Sequence, residues 1–142
     1  MNNLMIDDWV SYEGKPIKVK NVYKDCINFE PDTYIREEFW IDLTEIELIP
    51  LAPEIMEKNG FKLNERESEF LSEVSKNRVL AYDFPEVLGN RFFIEYDTQN
   101  KVAYITDHCL IPIKYVNEFQ QLLRLISSKT GQAKQILDNF TI

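Results

Sequence analysis

Short alternations of apolar and polar residues fill the first fifty positions, the period-two signature of half-buried β-strands. Trp9 to Tyr12 is a candidate strand, and the string Glu13–Gly14–Lys15–Pro16 has turn chemistry. Ile17, Val19 and Val22 then alternate with Lys18, Lys20 and Asn21 up to Tyr23, which predicts a hairpin. Cys26 to Phe29 is a third strand, interrupted by Pro31 to Thr33, and Glu38 to Leu43 and Glu45 to Pro50 supply two more. Five short strands in fifty residues predict a small, strongly bent barrel-like sheet.

The period then changes. Pro53 opens a short helix through Ile55 and Met56, and Asn59–Gly60 closes it, because glycine accepts the left-handed backbone of a helix exit. Asn64 with Glu67 three positions on resembles a helix start, followed by Phe70, Leu71 and Val74 at helical spacing. The same stretch is polar enough to be an irregular surface insertion, and both readings stand. Val79 to Phe84, Arg91 to Tyr96 and Lys101 to Thr106 form an antiparallel meander, with Leu110 to Ile113 either a fourth strand or a lead into the last long element. Tyr115 to Ser128 carries the strongest helical pattern. Val116, Phe119, Leu122, Leu123 and Ile126 make one stripe, with Asn117, Glu118, Gln120, Gln121 and Arg124 placed mostly away from it. Thr130–Gly131 ends this helix, and residues 132–137 form one further turn or fray.

The expected fold class is therefore α+β: an N-terminal small five-stranded barrel-like antiparallel sheet, a linking helix, and a C-terminal antiparallel meander packed against one long amphipathic helix. Residues 1–52 and 53–142 are the two expected modules, with one shared core left open.

Composition supports folding but narrows function. A 142-residue chain that is 44% hydrophobic can build a core without disulfides. Cys26 and Cys109 lie far apart without ligand-like spacing and read as reduced thiols, one disulfide remaining an alternative. The start lacks a basic segment followed by an apolar run, and no apolar run is long enough to span a bilayer, so a cytoplasmic protein without a membrane role is expected. The net charge of −8 disfavours direct nucleic-acid binding. Nine acids fall between Glu30 and Glu57 against Arg36. They read first as the solvent-facing halves of strands, and second as an acidic face for a basic partner.

Candidate chemistry is sparse. His108 is the single histidine, flanked by Asp107 and Cys109, and no second histidine can complete a relay or a metal shell. The acidic pairs Asp7–Asp8 and Glu37–Glu38 are expected by chance among 24 acids and read as solvated. The four glycines are isolated at turns, so no phosphate-cradling loop is present. No catalytic residue, metal or cofactor is assigned. Aromatics concentrate in the first half. Trp9, Phe29 and Phe39 are expected in the core, whereas Tyr12, Tyr34 and Trp40, with Glu37 and Glu38, are the candidate binding residues.

Two resemblances add to this. The string from Asp7 to Val22 resembles the opening of small Src-homology-like or KOW-type barrels, in which a tryptophan or valine strand precedes a glycine turn and a second strand. The segments 48–61 and 111–131 resemble a group of small uncharacterised proteins of gut Bacteroidetes genomes and their prophages. Lys114, Tyr115, Val116, Phe119, Gln120, Leu122, Thr130 and Gly131 keep that group's pattern, while Asn117 stands where it has histidine, which speaks against catalysis there. The resemblance implies a genomic setting and no activity. The resulting expectation is a protein-binding or adaptor module of phage or mobile-element origin, using an acidic aromatic face. An acidic DNA-mimic inhibitor and an enzyme of unrecognised type are the alternatives. Homodimerisation through a strand edge or the final helix is a further expectation.

Overall fold

The computed structural model describes residues 3–30, 40–85, 93–105, 109–130 and 133–142. Its architecture is α+β, with two antiparallel five-stranded sheets and four α-helices among the described residues.

The first sheet is built from β1 (Trp9–Tyr12), β2 (Lys15–Tyr23), β3 (Cys26–Glu30), β4 (Ile41–Asp42) and β5 (Ile46–Leu48), in the order β4-β3-β2-β1-β5. Its first hairpin turns on Glu13 (φ 50) and Gly14 (φ 76), and Tyr12 faces Lys15 across it. Two positive φ values in a two-residue loop are the signature of a type I′ turn, whose twist matches that of the strands it joins. A register shift between Val19 and Asn21 bends the β2–β3 ladder. The edge strands β4 and β5 are joined only by the 3-10 turn Leu43–Glu45. Flat, five strands would hold their edges about 19 Å apart, while the link from Asp42 to Ile46 spans at most about 14 Å. The sheet is therefore strongly curled around Leu4, Val10, Ile17, Val19, Ile27 and Ile41, which form the smaller buried cluster. It is nonetheless not closed into a barrel, which corrects that expectation. The edge strands are two and three residues long, and each spends its ladder on one neighbour, β4 on β3 and β5 on β1.

Helix α1 (Pro53–Lys58) starts on proline and exits through Asn59 to Gly60 at φ 91. The second sheet has the order β10-β9-β8-β7-β6, from β6 (Lys62–Leu63), β7 (Val79–Asp83), β8 (Phe93–Asp97), β9 (Val102–Ile105) and β10 (Cys109–Ile113). Asp97 makes the β8–β9 turn by accepting from the backbone N–H groups of Gln99 and Asn100 and from the Asn100 amide.

Between β6 and β7 lies α2 (Glu65–Ser75), a helix whose start is capped as the sequence suggests: the Asn64 side chain accepts from the Glu67 N–H at 3.1 Å. Where β6 ends, α2 takes over the exposed edge of β7. Ser68 Oγ accepts from the Ala81 N–H at 2.8 Å, and Ser72 Oγ accepts from the Val79 N–H at 2.9 Å while donating to the Val79 carbonyl. Serine hydroxyls thus continue a ladder that the two-residue β6 is too short to complete.

The C-terminal part is not one long helix. α3 (Val116–Thr130) and the short α4 (Lys134–Asp138) pack with α1 and the second sheet around the larger cluster. Phe61 is its hub, 5.1 Å from the Phe84 ring and 5.3 Å from Phe119. In the apolar stripe of α3, Val116, Phe119 and Leu123 are buried and Leu122 and Ile126 half-buried, in line with the spacing, but two polar residues of the helix are buried as well. Asn117 and Gln120 are 0% and 2% exposed, and neither Asn117 amide atom has a hydrogen-bond partner.

Gln120 is buried because the two clusters meet there. Its Oε1 accepts from the Trp9 N–H at 2.8 Å, and its Nε2 donates to the Asp7 carbonyl at 2.8 Å. The next residue, Gln121, donates to the Asn3 carbonyl and to Asp8, and one turn on Arg124 donates to Asp8 Oδ1 at 2.5 Å and to the Ile6 carbonyl. Asp8 is fully buried, which corrects the reading of Asp7–Asp8 as a solvated pair; Asp7 alone is exposed. Trp9 completes the joint, packing on the larger cluster with its indole N–H directed to the Phe140 carbonyl at 3.3 Å.

Candidate functional site

The hairpin end of the first sheet forms a groove of about 310 Å³ lined by Ser11, Tyr12, Glu13, Gly14, Glu45 and Glu47. Three elements place these residues. β1 is held between β2 and β5, with Ser11 opposite Glu47 and Tyr12 opposite Ile46. Val10 and Tyr12, two apart, share the inward face, so Tyr12 sits at the rim of the smaller cluster with its ring 6.3 Å from Phe29. The turn then projects Glu13 beside it. The 3-10 turn delivers Glu45, and its own start is fixed by Asp42, whose carboxylate accepts from the Thr44 N–H and hydroxyl at 2.9 Å. That bonding to Thr44 lowers the Asp42 carboxyl below its ordinary value.

The electrostatics of the groove are one-signed. Glu13, Glu45 and Glu47 are exposed, and no cationic side chain lines the groove with them. The Tyr12 phenol responds: desolvation first, then the charges of Glu13 and Glu45, push it above its ordinary value. It remains a neutral hydroxyl on an aromatic ring, with the Glu13 and Glu45 carboxylates near it. Such a set can stack on and pair with a flat cation.

Of the two expected binding residues that are described, Tyr12 is in this groove and Trp40 is not. Trp40 lies at the other end of the sheet against Tyr23, their ring centroids 6.1 Å apart, with the Lys24 ammonium 5.4 Å from the Tyr23 centroid. The length of β2 separates the two places by eight residues, roughly 26 Å of extended strand. Tyr34, Glu37 and Glu38 lie outside the described residues, as do Phe39, Asp107 and His108. Trp9 and Phe29, expected in the core, are partly buried against the larger and the smaller cluster respectively. Sequence reading took Glu13 for turn chemistry and placed Glu45 and Glu47 among solvated acids. The missed signal is Glu13 itself, a glutamate at a position of positive φ where asparagine or glycine is the ordinary choice.

A second cavity of about 330 Å³ is lined by Lys58, Asn59, Gly60, Pro85, Gln135, Ile136 and Asn139. Two of its polar side chains are already engaged. The Asn59 amide exchanges two hydrogen bonds with the Thr141 backbone, at 2.7 and 2.9 Å, and Lys58 Nζ donates to the Ile142 carbonyl at 3.0 Å. This cavity marks where the C-terminal residues are tied to α1. Among the described residues no three His, Cys, Asp or Glu side chains gather as a metal-ligand set, and no helix is long and apolar enough to cross a membrane.

Comparison of the chain with protein-family models, with curated proteins and with solved structures finds no match.

Proposed function

We propose that the chain is a protein-binding module whose groove at Tyr12 takes a lysine- or arginine-bearing peptide segment. The observation that carries this reading is the lining itself: Tyr12 with Glu13 and Glu45 near its phenol, Glu47 beside Ser11, and no lysine or arginine among the lining residues. An aromatic face supplies area at little entropic cost, and the carboxylates select a cationic side chain over a neutral one. Glu13 adds support. Turn physics favours asparagine there, so the glutamate keeps its charge at the expense of the hairpin. The curled sheet with its glycine turn is in keeping with the small Src-homology-like or KOW-type barrels, and the second resemblance suggests a phage or mobile-element setting.

The test is titration of a fluorescent lysine- and arginine-rich peptide against a serine-substituted control of equal length. Micromolar binding of the basic peptide is expected, weakening as salt is raised from about 0.05 to about 0.5 M. Glu45→Lys with Glu47→Lys weakens it at least about tenfold, each charge reversal acting on an exposed pair. Glu13→Asn weakens binding a few-fold while raising the midpoint of thermal unfolding, because it repairs the turn. Equal binding of both peptides, or indifference to the Glu45 and Glu47 reversals, refutes the reading.

A further inference from the structure

The strand β5 closes the sheet order β4-β3-β2-β1-β5, so one of its edges meets β1 and the other meets no strand of the sheet. Two observations fix which of its backbone groups face that open edge. The Ile46 N–H bonds back to the Leu43 carbonyl, away from β1. Tyr12, opposite Ile46, flanks a two-residue turn and so exchanges its own hydrogen bonds with Lys15, leaving none for β5. Backbone direction alternates along a strand, so Glu47 turns to its partner Ser11 and Leu48 turns outward again. The N–H and carbonyl of Leu48 and the carbonyl of Ile46 therefore stand on the open edge, and no described backbone group meets them there.

Backbone groups left in this way are a template for one more strand. The side chains of β5 select its sequence. Ile46 and Leu48 are half-buried on the inward face, packed against the smaller cluster. Glu47 between them is exposed on the outer face and lines the groove with Ser11 and Glu45. In an added antiparallel strand, the residues opposite Leu48 and Ile46 extend the inward face and are apolar. The residue between them lies opposite Glu47 and is cationic. A charge on an edge strand opposes pairing with neutral or like-charged strands, and a basic strand turns that same charge into an attraction.

We infer that the peptide bound at the groove docks as a further strand on the open edge of β5, antiparallel to it, through an apolar residue, a basic residue and a second apolar residue. The first exchanges two hydrogen bonds with Leu48, the basic one meets Glu47 and extends into the groove, and the last donates to the Ile46 carbonyl. This docking presupposes that the groove is a peptide site, and it adds the partner's conformation and sequence class: an extended segment with its cation between two apolar residues.

The probe is a seven-residue peptide with valine, arginine and valine at its centre, titrated against the whole chain beside three copies that are N-methylated at one of these residues. Methylation of either valine nitrogen removes a donor aimed at β5 and sets a methyl group against a carbonyl; methylation of the arginine nitrogen removes a donor aimed at solvent. Either valine-methylated copy is expected to bind at least about tenfold more weakly than the parent, and the arginine-methylated copy within about threefold of it. In the complex the Leu48 amide exchanges with solvent at least about tenfold more slowly than in the free chain, while the Glu47 amide, already paired with Ser11, keeps its rate. Valine-methylated copies that bind as tightly as the parent, or a Leu48 amide that exchanges as fast with peptide as without it, overturn the added strand; the groove reading then stands if Glu45→Lys with Glu47→Lys still weakens the parent. A parent peptide that shows no binding up to about 1 mM overturns both.

Discussion

Asp8 is the residue whose environment departs furthest from what its neighbours in the chain announce. Desolvation raises its carboxyl above the ordinary value, outweighing the hydrogen bonds from the Met5 N–H, Arg124 and Gln121 and the Arg124 charge. A carboxyl raised in the folded state binds its proton more tightly there than in the unfolded chain. Its contribution to stability is therefore full below the unfolded value near 3.8 and is lost as pH rises through the folded value. Urea unfolding of the wild type and of Asp8→Asn across this window gives the check: the difference shifts in favour of the variant as pH rises. The opposite slope would mean that Arg124 outweighs burial. Nothing local marked Asp8 for the interior, since the arginine that meets it is 116 residues away. Tyr12 differs. Its alternation with Val10 was legible, and so was its placement at a strand end, whereas the Glu45 and Glu47 beside it became neighbours only when β5 paired with β1.

At the scale of elements, the strands and helices followed their periods closely. β1 ends where the alternation ends, and α1 lies between the proline and the Asn59–Gly60 exit that framed it. Of the two readings of Leu110 to Ile113, the fourth strand is the one present, as β10, and the helix reading of the segment after Asn64 holds over Glu65–Ser75. What escaped was β6, because two residues carry no period. The serine stripe of α2 escaped for a different reason. A helix is expected to bury its apolar side, and this one buries hydroxyls because its neighbour is a strand edge with unpaired backbone groups rather than a sheet face. Ser68→Ala is accordingly expected to cost about 1–3 kcal/mol, since it leaves the Ala81 N–H without its acceptor. Hydrogen exchange checks it locally: the Ala81 and Val79 amides lose protection in Ser68→Ala and Ser72→Ala while the β8 and β9 amides keep theirs.

Across the whole molecule, the decisive feature is the polar joint between the two clusters. Gln120 bridges the Trp9 N–H and the Asp7 carbonyl, and Trp9 reaches the Phe140 carbonyl, so residues near both termini of the chain close one structure. Wild-type unfolding followed by far-UV circular dichroism and by tryptophan fluorescence is expected to give one coincident transition. Gln120→Ala, which leaves two part-buried backbone groups without this partner, costs about 1–2 kcal/mol and separates the two curves. Coincident curves in the variant would show that packing of Trp9 couples the clusters without the glutamine. The sequence by itself determined the α+β class, the two runs of strands, the limits of most elements and the apolar stripe of α3, because periodicity and turn chemistry act over a few residues. Only the tertiary structure decided that the first sheet stays open although curled, that Asp8 and Gln120 are interior, that Tyr12 and Trp40 stand at opposite ends of the sheet, and that α2 turns Phe70 and Val74 outward. Each of these depends on which distant segment arrives beside a residue, and no local pattern of polar and apolar positions records that.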